Sequence, residues 1–256
     1  MNRRNFLTLT TLTPFIANNL MAIEDNLNKS NKNTADVYLE TKEWNTLVSL
    51  RKRIRKLKNY VGFANFNIIS FNDAMFYGRN YSAIGKFTKD ELELIDRLFY
   101  EDPKKYGFYG EKTCFNINNK IARKDIKKIP HTGHFLFKGK PLDDYKRIKK
   151  DVGKSIILTS GIRNTMKQLS LYVDKIYHNK GNMTNASNSI APPAYSYHTT
   201  SDFDVGRKGW GYRNFTADFA TTKEFQKIMK LNYISVRYTQ NNKDGVRYEP
   251  WHIKVI

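Results

Sequence analysis

The stretch Ala191-Pro-Pro-Ala-Tyr-Ser-Tyr-His-Thr-Thr-Ser-Asp-Phe-Asp-Val-Gly206 decides how this chain is read. A stiff proline entry leads to His198, and Asp202 and Asp204 follow, spaced to share one face of a strand. The chain has only five histidines, so one placed just ahead of two carboxylates asks for partners. A strand histidine ordinarily does no more than hydrogen-bond a carbonyl. The far end of the chain supplies what the cluster lacks. Glu249-Pro-Trp-His252 sets a carboxylate three residues before a histidine. On a regular strand these two side chains would face opposite ways, but Pro250 permits a bulge or bend that turns both toward one pocket. A catalytic zinc centre uses three protein ligands, one open position and a nearby carboxylate that is not a ligand. His198, an aspartate from Asp202 or Asp204, and His252 satisfy the first requirement, and Glu249 is left over as a base.

Three ordered motifs then resemble one family. Ser196-Tyr-His198 with Asp204, and Glu249-Pro-Trp-His252, are similar to the two signatures of the D-alanyl-D-alanine carboxypeptidase/dipeptidase family of zinc peptidases. Ser160-Gly-Ile-Arg163-Asn-Thr-Met-Lys-Gln168 resembles its Ser-Gly-Tyr-Arg segment with a glutamine five residues after the arginine. The resemblance covers about residues 140–256. It implies the fold group shared with lysostaphin-type peptidases and the hedgehog signalling domain: α+β, a small antiparallel sheet with helices, here preceded by a mainly helical N-terminal region. It also implies Zn²⁺ held by His198, Asp204 and His252, with Glu249 as the catalytic base. Arg163 would pair with a developing oxyanion or a substrate carboxylate, and Ser196 and Gln168 would help hold the end of the peptide. The substrate class it implies is peptidoglycan stem peptides, cut by a D,D-carboxypeptidase that releases terminal D-alanine. An L,D-carboxypeptidase, an endopeptidase and a non-catalytic zinc-containing wall-binding protein are the alternatives.

One departure bears on the ligand set. The family pattern runs Ser-x-His-x-x-Gly-x-Ala-x-Asp, whereas here Ser201 stands where the glycine is expected and the segment is one residue short. A turn absorbs a deletion more easily than a paired strand, which favours Asp204. Asp202, on the same face two residues earlier, is the alternative.

Bulk properties agree with an exported wall enzyme. At 256 residues with 40% hydrophobic and 14% aromatic content, the chain can bury a sizeable core. Cys114 is the single cysteine, which rules out an internal disulfide and any multi-cysteine zinc site. The formal charge of +20 is spread along the chain without an arginine-rich arm or a nucleic-acid signature. It suits an anionic wall or membrane surface, and no nucleic-acid partner is expected. Residues 1–22, opening Asn2-Arg-Arg-Asn-Phe-Leu7 before a mildly apolar run, have the layout of an export signal of twin-arginine type. The expected location is therefore periplasmic or extracytoplasmic, with no stable membrane insertion once the signal is removed.

The organisation expected is signal 1–22, linker 23–36, helical region 37–125 and zinc peptidase domain 126–256. Trp44, Leu47, Leu50, Ile54 and Leu57 make one helical stripe over 43–60. Thr88-Lys-Asp-Glu91 is a capping box ahead of a buried face of Leu92, Ile95, Leu98 and Phe99. Further helices are expected over 142–152, closed by a left-handed Gly153, and over 164–175 and 221–230. Strands are expected over 155–159, 233–238 and 246–256, the last two forming a terminal hairpin about the Asn241–Gly245 turn. Pro130-His-Thr-Gly-His134 reads as a loop that could line the pocket, and His178 as surface. Trp210 and Trp251 read as packing, and Cys114 as a small buried residue.

Overall fold

Capping boxes and apolar stripes set the helices of the first half. The computed structural model describes residues 36–256, so the expected export signal and all but the last residue of the linker lie outside the described residues. Helix α1 (Trp44–Val61) buries Leu47, Leu50, Ile54 and Leu57, the stripe expected of it. Helix α2 (Phe71–Asn80) was not foreseen, although Ser70 and Asp73 form a reciprocal capping box at its start. Helix α3 (Lys89–Tyr100) begins at the Thr88–Glu91 box. Its buried face is Leu94, Ile95, Leu98 and Phe99, with Leu94 taking the place expected of the half-buried Leu92. Glu91 is itself buried, held by Arg53 Nε and Ser49 Oγ, both at 2.6 Å.

A short hairpin of β1 (Ile126–Lys128) and β2 (Phe135–Phe137) leads to α4 (Lys140–Val152). Gly153 ends that helix at φ 116°, ψ −176°. This is a conformation open to glycine but not the left-handed turn expected there. Then come β3 (Ile156–Ser160), α5 (Thr165–His178), α6 (Met183–Ser189), β4 (Phe203–Arg207), α7 (Lys223–Ile228), β5 (Ile234–Val236) and β6 (His252–Val255). Helix α6 has no counterpart in the sequence reading. Strands β3 to β6 form one antiparallel sheet in the order β3-β4-β6-β5, which makes the fold α+β. No helix among the described residues is long and apolar enough to cross a membrane.

The last strand is shorter than expected. It starts only at His252, because residues 249–252 form a turn closed by His252 N–H donating to Glu249 O at 3.1 Å. Pro250, lacking an N–H, sits inside that turn rather than in a ladder.

The two largest of four apolar clusters among the described residues hold the sheet and the helices. On one face of the sheet, Leu158, Phe203, Val205 and Ile253 pack with Ile148 and Val152 of α4 and Ile228 of α7. Phe203 is fully buried, and burying such a ring contributes roughly 1.5–3 kcal/mol. The second core is helical. Leu47, Leu50, Ile54, Leu94 and Phe99 pack with Leu169, Val173 and Ile176 of α5 and Met183 of α6. Residues from both sides of position 125 thus share one apolar interior.

Because side chains alternate along a strand, the sheet's other face carries different residues. Ser160 is paired with Asp204 across β3 and β4, and Asp204 with His252 across β4 and β6. Three polar side chains therefore stand in one row across three strands.

Candidate active site

The row is completed by His198, which sits on the 3₁₀ turn Tyr197–Thr199 just before β4. The backbone N–H groups of Thr200, Ser201 and Asp202 all converge on Tyr197 O, at 3.1, 3.1 and 3.2 Å. This tight turn lies where the sequence is one residue short, so β4 enters the sheet undisturbed. His198 Nδ1 lies 2.8 Å from the carbonyl of Gly161, which can only accept, so that nitrogen carries the proton. Gly161 is needed for its closeness to β2. A Cβ there would lie 2.1 Å from Phe135 O.

With Nδ1 so engaged, His198 presents Nε2 to the interior, where it is buried without a hydrogen-bond partner. Asp204 Oδ1 is likewise buried and unpartnered, 3.2 Å from it. His252 Nδ1 stands 3.5 Å from the same oxygen. These three atoms, each able to ligate a metal, lie within 4.8 Å of one another. Burial holds the His198 pKa down to about 4, with the nearby Arg163 guanidinium adding to the effect, so the ring is neutral. Burial works against the Asp204 carboxylate, but His198, Arg163 and His252 outweigh it and keep the group well below the usual range.

Asp202 occupies a different role. Its carboxylate takes a two-pronged contact from Arg237, Nε at 2.7 Å and Nη2 at 3.1 Å, and lies 3.2 Å from His252 Nε2. Val255 N–H also donates to it. Asp202 thus fixes the proton on Nε2 and turns Nδ1 toward Asp204. In the metal-free chain, burial opposes charge on His252. The hydrogen bonds to Asp202 and Glu249 and the charge of Asp204 prevail, lifting its pKa to about 9. Arg237 carried no signal in the sequence beyond its place on an alternating strand.

The residues present fit a small divalent cation. Two atoms each ~2.0–2.2 Å from a tetrahedral Zn²⁺ stand roughly 3.3–3.6 Å apart, close to the observed 3.2 and 3.5 Å. Two imidazole nitrogens and one carboxylate suit zinc. The buried atoms that lack partners are the ones such an ion would satisfy.

Around this cluster lies a cleft of about 340 Å³. Glu249 lines it, buried, with Oε2 3.5 Å from His252 Nδ1 and Oε1 3.9 Å from Arg247 Nε. Arg163 donates from Nε to Ser160 Oγ at 2.8 Å and from Nη2 to Asp204 Oδ2. Ser196 also lines the cleft. Gln168 donates to Ala191 O at 2.7 Å, leaving Oε1 buried and unpartnered. All seven residues singled out from the sequence thus border one cavity. His134 lines its other side, as the reading of its loop allowed, together with Phe63 and Lys167, to which the motifs gave no role. His134 is buried edge-on to Phe63, with ring centroids 5.2 Å apart, and gathers no metal-binding partners among the described residues. His178 is exposed, Cys114 is buried, and Trp251 packs against Phe215, as expected. Trp210 lies away from the cleft, under Arg213.

Two imidazoles, a carboxylate and a spare carboxylate at the floor of a cleft make the donor set of a metal-assisted hydrolase. Comparison with known proteins narrows the class. Residues 142–256, a little under half of the chain, match the family described as VanY, D-alanyl-D-alanine carboxypeptidase. A search of curated proteins by sequence finds no match. Among solved structures, the LdcB LD-carboxypeptidase is similar at 18% identity and TM-score 0.47, over 61% of this chain and 78% of that one. VanYB in complex with D-alanine-D-alanine is similar at 21% identity and TM-score 0.39, over 56% and 84%. A D,D-pentapeptidase VanY in complex with Zn(II) is similar at 22% identity and TM-score 0.38, over 51% and 77%.

Proposed function

We propose that this chain is a zinc-dependent D,D-carboxypeptidase that removes terminal D-alanine from peptidoglycan stem peptides outside the cytoplasm. The observation that carries the reading is the meeting of His198 Nε2, Asp204 Oδ1 and His252 Nδ1 beside Glu249, within the segment that matches the D-alanyl-D-alanine carboxypeptidase family. The expected export signal at 1–22 and the strongly basic composition agree with a site of action at the wall.

His198, Asp204 and His252 would hold the metal. When bound, zinc supplies Lewis acidity that polarises the scissile carbonyl and acidifies water. Glu249 Oε2 takes the proton of the attacking water and returns it to the leaving amine. Arg163, fixed by Ser160 and Asp204, places its guanidinium where negative charge develops. Gln168 Oε1 and Ser196 Oγ offer acceptor and donor for the end of the peptide. Trp251 and Phe215 help keep bulk water from the cleft.

Digestion of defined stem tri-, tetra- and pentapeptides by purified zinc-loaded protein, followed by mass spectrometry, tests the reading. Loss of one alanine mass from the pentapeptide is the expected result. Loss from the tetrapeptide alone would make it an L,D-carboxypeptidase, a split cross-link an endopeptidase, and no change in any peptide a binding protein.

A further inference from the structure

We propose that Lys167 recognises a second carboxylate on the peptide, distinct from the terminal one. The inference rests on the peptidase reading above and adds to it a substrate preference.

Lys167 sits in the first turn of α5, four residues after Arg163, and lines the catalytic cleft. The residue is only 8% exposed. Its ammonium lies over the ring of Phe63, 5.3 Å from the centroid, and makes no ion pair or hydrogen bond with any described residue. A buried ammonium without a counter-charge is costly, and proteins nearly always pair one. The strain shows in its acidity: burial, with Arg163 and Lys58 adding and the charge of Asp174 offsetting only part, pulls the Lys167 pKa down to about 8.

The cleft's own carboxylates are engaged elsewhere. Asp204 meets Arg163 and His198, and Glu249 lies between His252 and Arg247. His134, on the same side of the cleft as Lys167, is kept neutral, its pKa lowered to about 4 first by burial and then by Lys167 itself. The wall therefore lacks an anion, and the open side of the site is where one can enter. In the proposed mechanism serine and glutamine hold the end of the peptide and the arginine fork meets the developing charge, so Lys167 is free for another group. A lysine suits this task because a point charge on a flexible stem accepts a carboxylate from several directions. Stem peptides offer two such groups: the α-carboxylate of a γ-linked glutamate and the side-chain carboxylate of an acidic diamino acid. Phe63, which props the lysine stem, comes from outside the family-matched segment.

The test uses full-length protein and four synthetic pentapeptides, L-Ala-γ-D-Glu-diaminopimelate-D-Ala-D-Ala with neither, either or both of the two internal carboxylates amidated. kcat/KM of the zinc-loaded protein is read from D-alanine release. Separately, Kd of each uncleaved peptide is measured by calorimetry on metal-free protein. In the parent, amidating one of the two carboxylates should weaken both quantities about tenfold to a hundredfold, and the position that does so identifies the source. In Lys167→Met that difference should collapse to about twofold or less, and in Lys167→Arg it should persist. The inference is overturned if the parent treats all four peptides alike or binds none. It is also overturned if Lys167→Met weakens all four equally, the mark of a terminal-carboxylate contact, or if the amidation penalty survives in Lys167→Met. Should no peptide be cleaved, the peptidase reading fails while the binding arm still judges Lys167. Should the methionine variant not fold, loss of discrimination in the arginine variant overturns the proposal and its retention supports it.

Discussion

The two walls of the cleft are built differently. On the sheet wall, the charged groups are interlocked. Asp204 is met by Arg163, His198 and His252, and Asp202 by Arg237 and His252. On the opposite wall, Phe63, His134, Lys167 and Leu171 present apolar surface, a neutral imidazole and one cation without a partner. Interlocked charges hold a fixed geometry, which bond cleavage demands. A lone cation fixes nothing within the protein and becomes useful only when a ligand arrives. On the proposed reading, the contrast gives chemistry to one wall and selection to the other.

The largest expected effect breaks the sheet wall. Glu249→Gln should lower kcat by about 10²–10⁴ while one zinc per chain remains bound. Metal analysis beside a D-alanine-release assay checks this, and parental turnover in the variant would remove Glu249 from the role of base.

The next probes the opposite wall through acid stability of the metal-free protein. His134 is buried, and its pKa falls from 6.5 to about 4. A ring kept neutral in the folded chain contributes stability that is complete above about pH 6.5. That stability drains as the pH falls toward 4, because the unfolded chain takes the proton first. Urea unfolding at pH 7 and pH 4.5 should therefore show a smaller acid loss for His134→Gln than for the parent, by on the order of 2–3 kcal/mol. Equal losses in the two proteins would mean that His134 is protonated without penalty.

The smallest sharpens the division of labour between the two aspartates. Asp202→Asn leaves all three ligating side chains in place but weakens the hold on His252 Nε2. Zinc affinity, read by competition with a chromophoric chelator, should fall about 10- to 100-fold. Asp204→Asn, which removes a proposed ligand, should lower it further. The reverse order would exchange their roles.

Much of the sheet wall was legible beforehand, because its residues sit in short motifs whose spacing has a physical meaning. His198 and Asp204 could be placed on a turn and a strand, and Pro250 announced the bend that brings Glu249 alongside His252. The choice between Asp202 and Asp204 stayed open because both share a strand face, and only the register opposite His252 separates them. Arg237 was invisible for a related reason. Its partner Asp202 lies far away in sequence, and a single arginine on a strand has no pattern. The opposite wall was hidden more deeply: the His134 loop could be read as pocket-lining, but Phe63 reaches the cleft only through packing between distant segments. Helix α2 was missed although Ser70 and Asp73 carry the same box that located α3. Its weak apolar periodicity gave no stripe to follow, and only Ala74 and Gly78 are buried along it. The final strand was drawn too long because aromatic residues around Pro250 have strand preferences that the turn overrides.

The shared helical interior has a practical consequence for anyone dissecting this protein. The segment defined by family likeness begins at residue 142, yet Leu169, Val173 and Ile176 rest against Leu47, Leu50 and Ile54. A clone trimmed to the likeness would leave an oily strip along α5 open to solvent and would be prone to clump. The region ahead of it is not a detachable cassette, and gene shuffling that treats it as one would yield insoluble product.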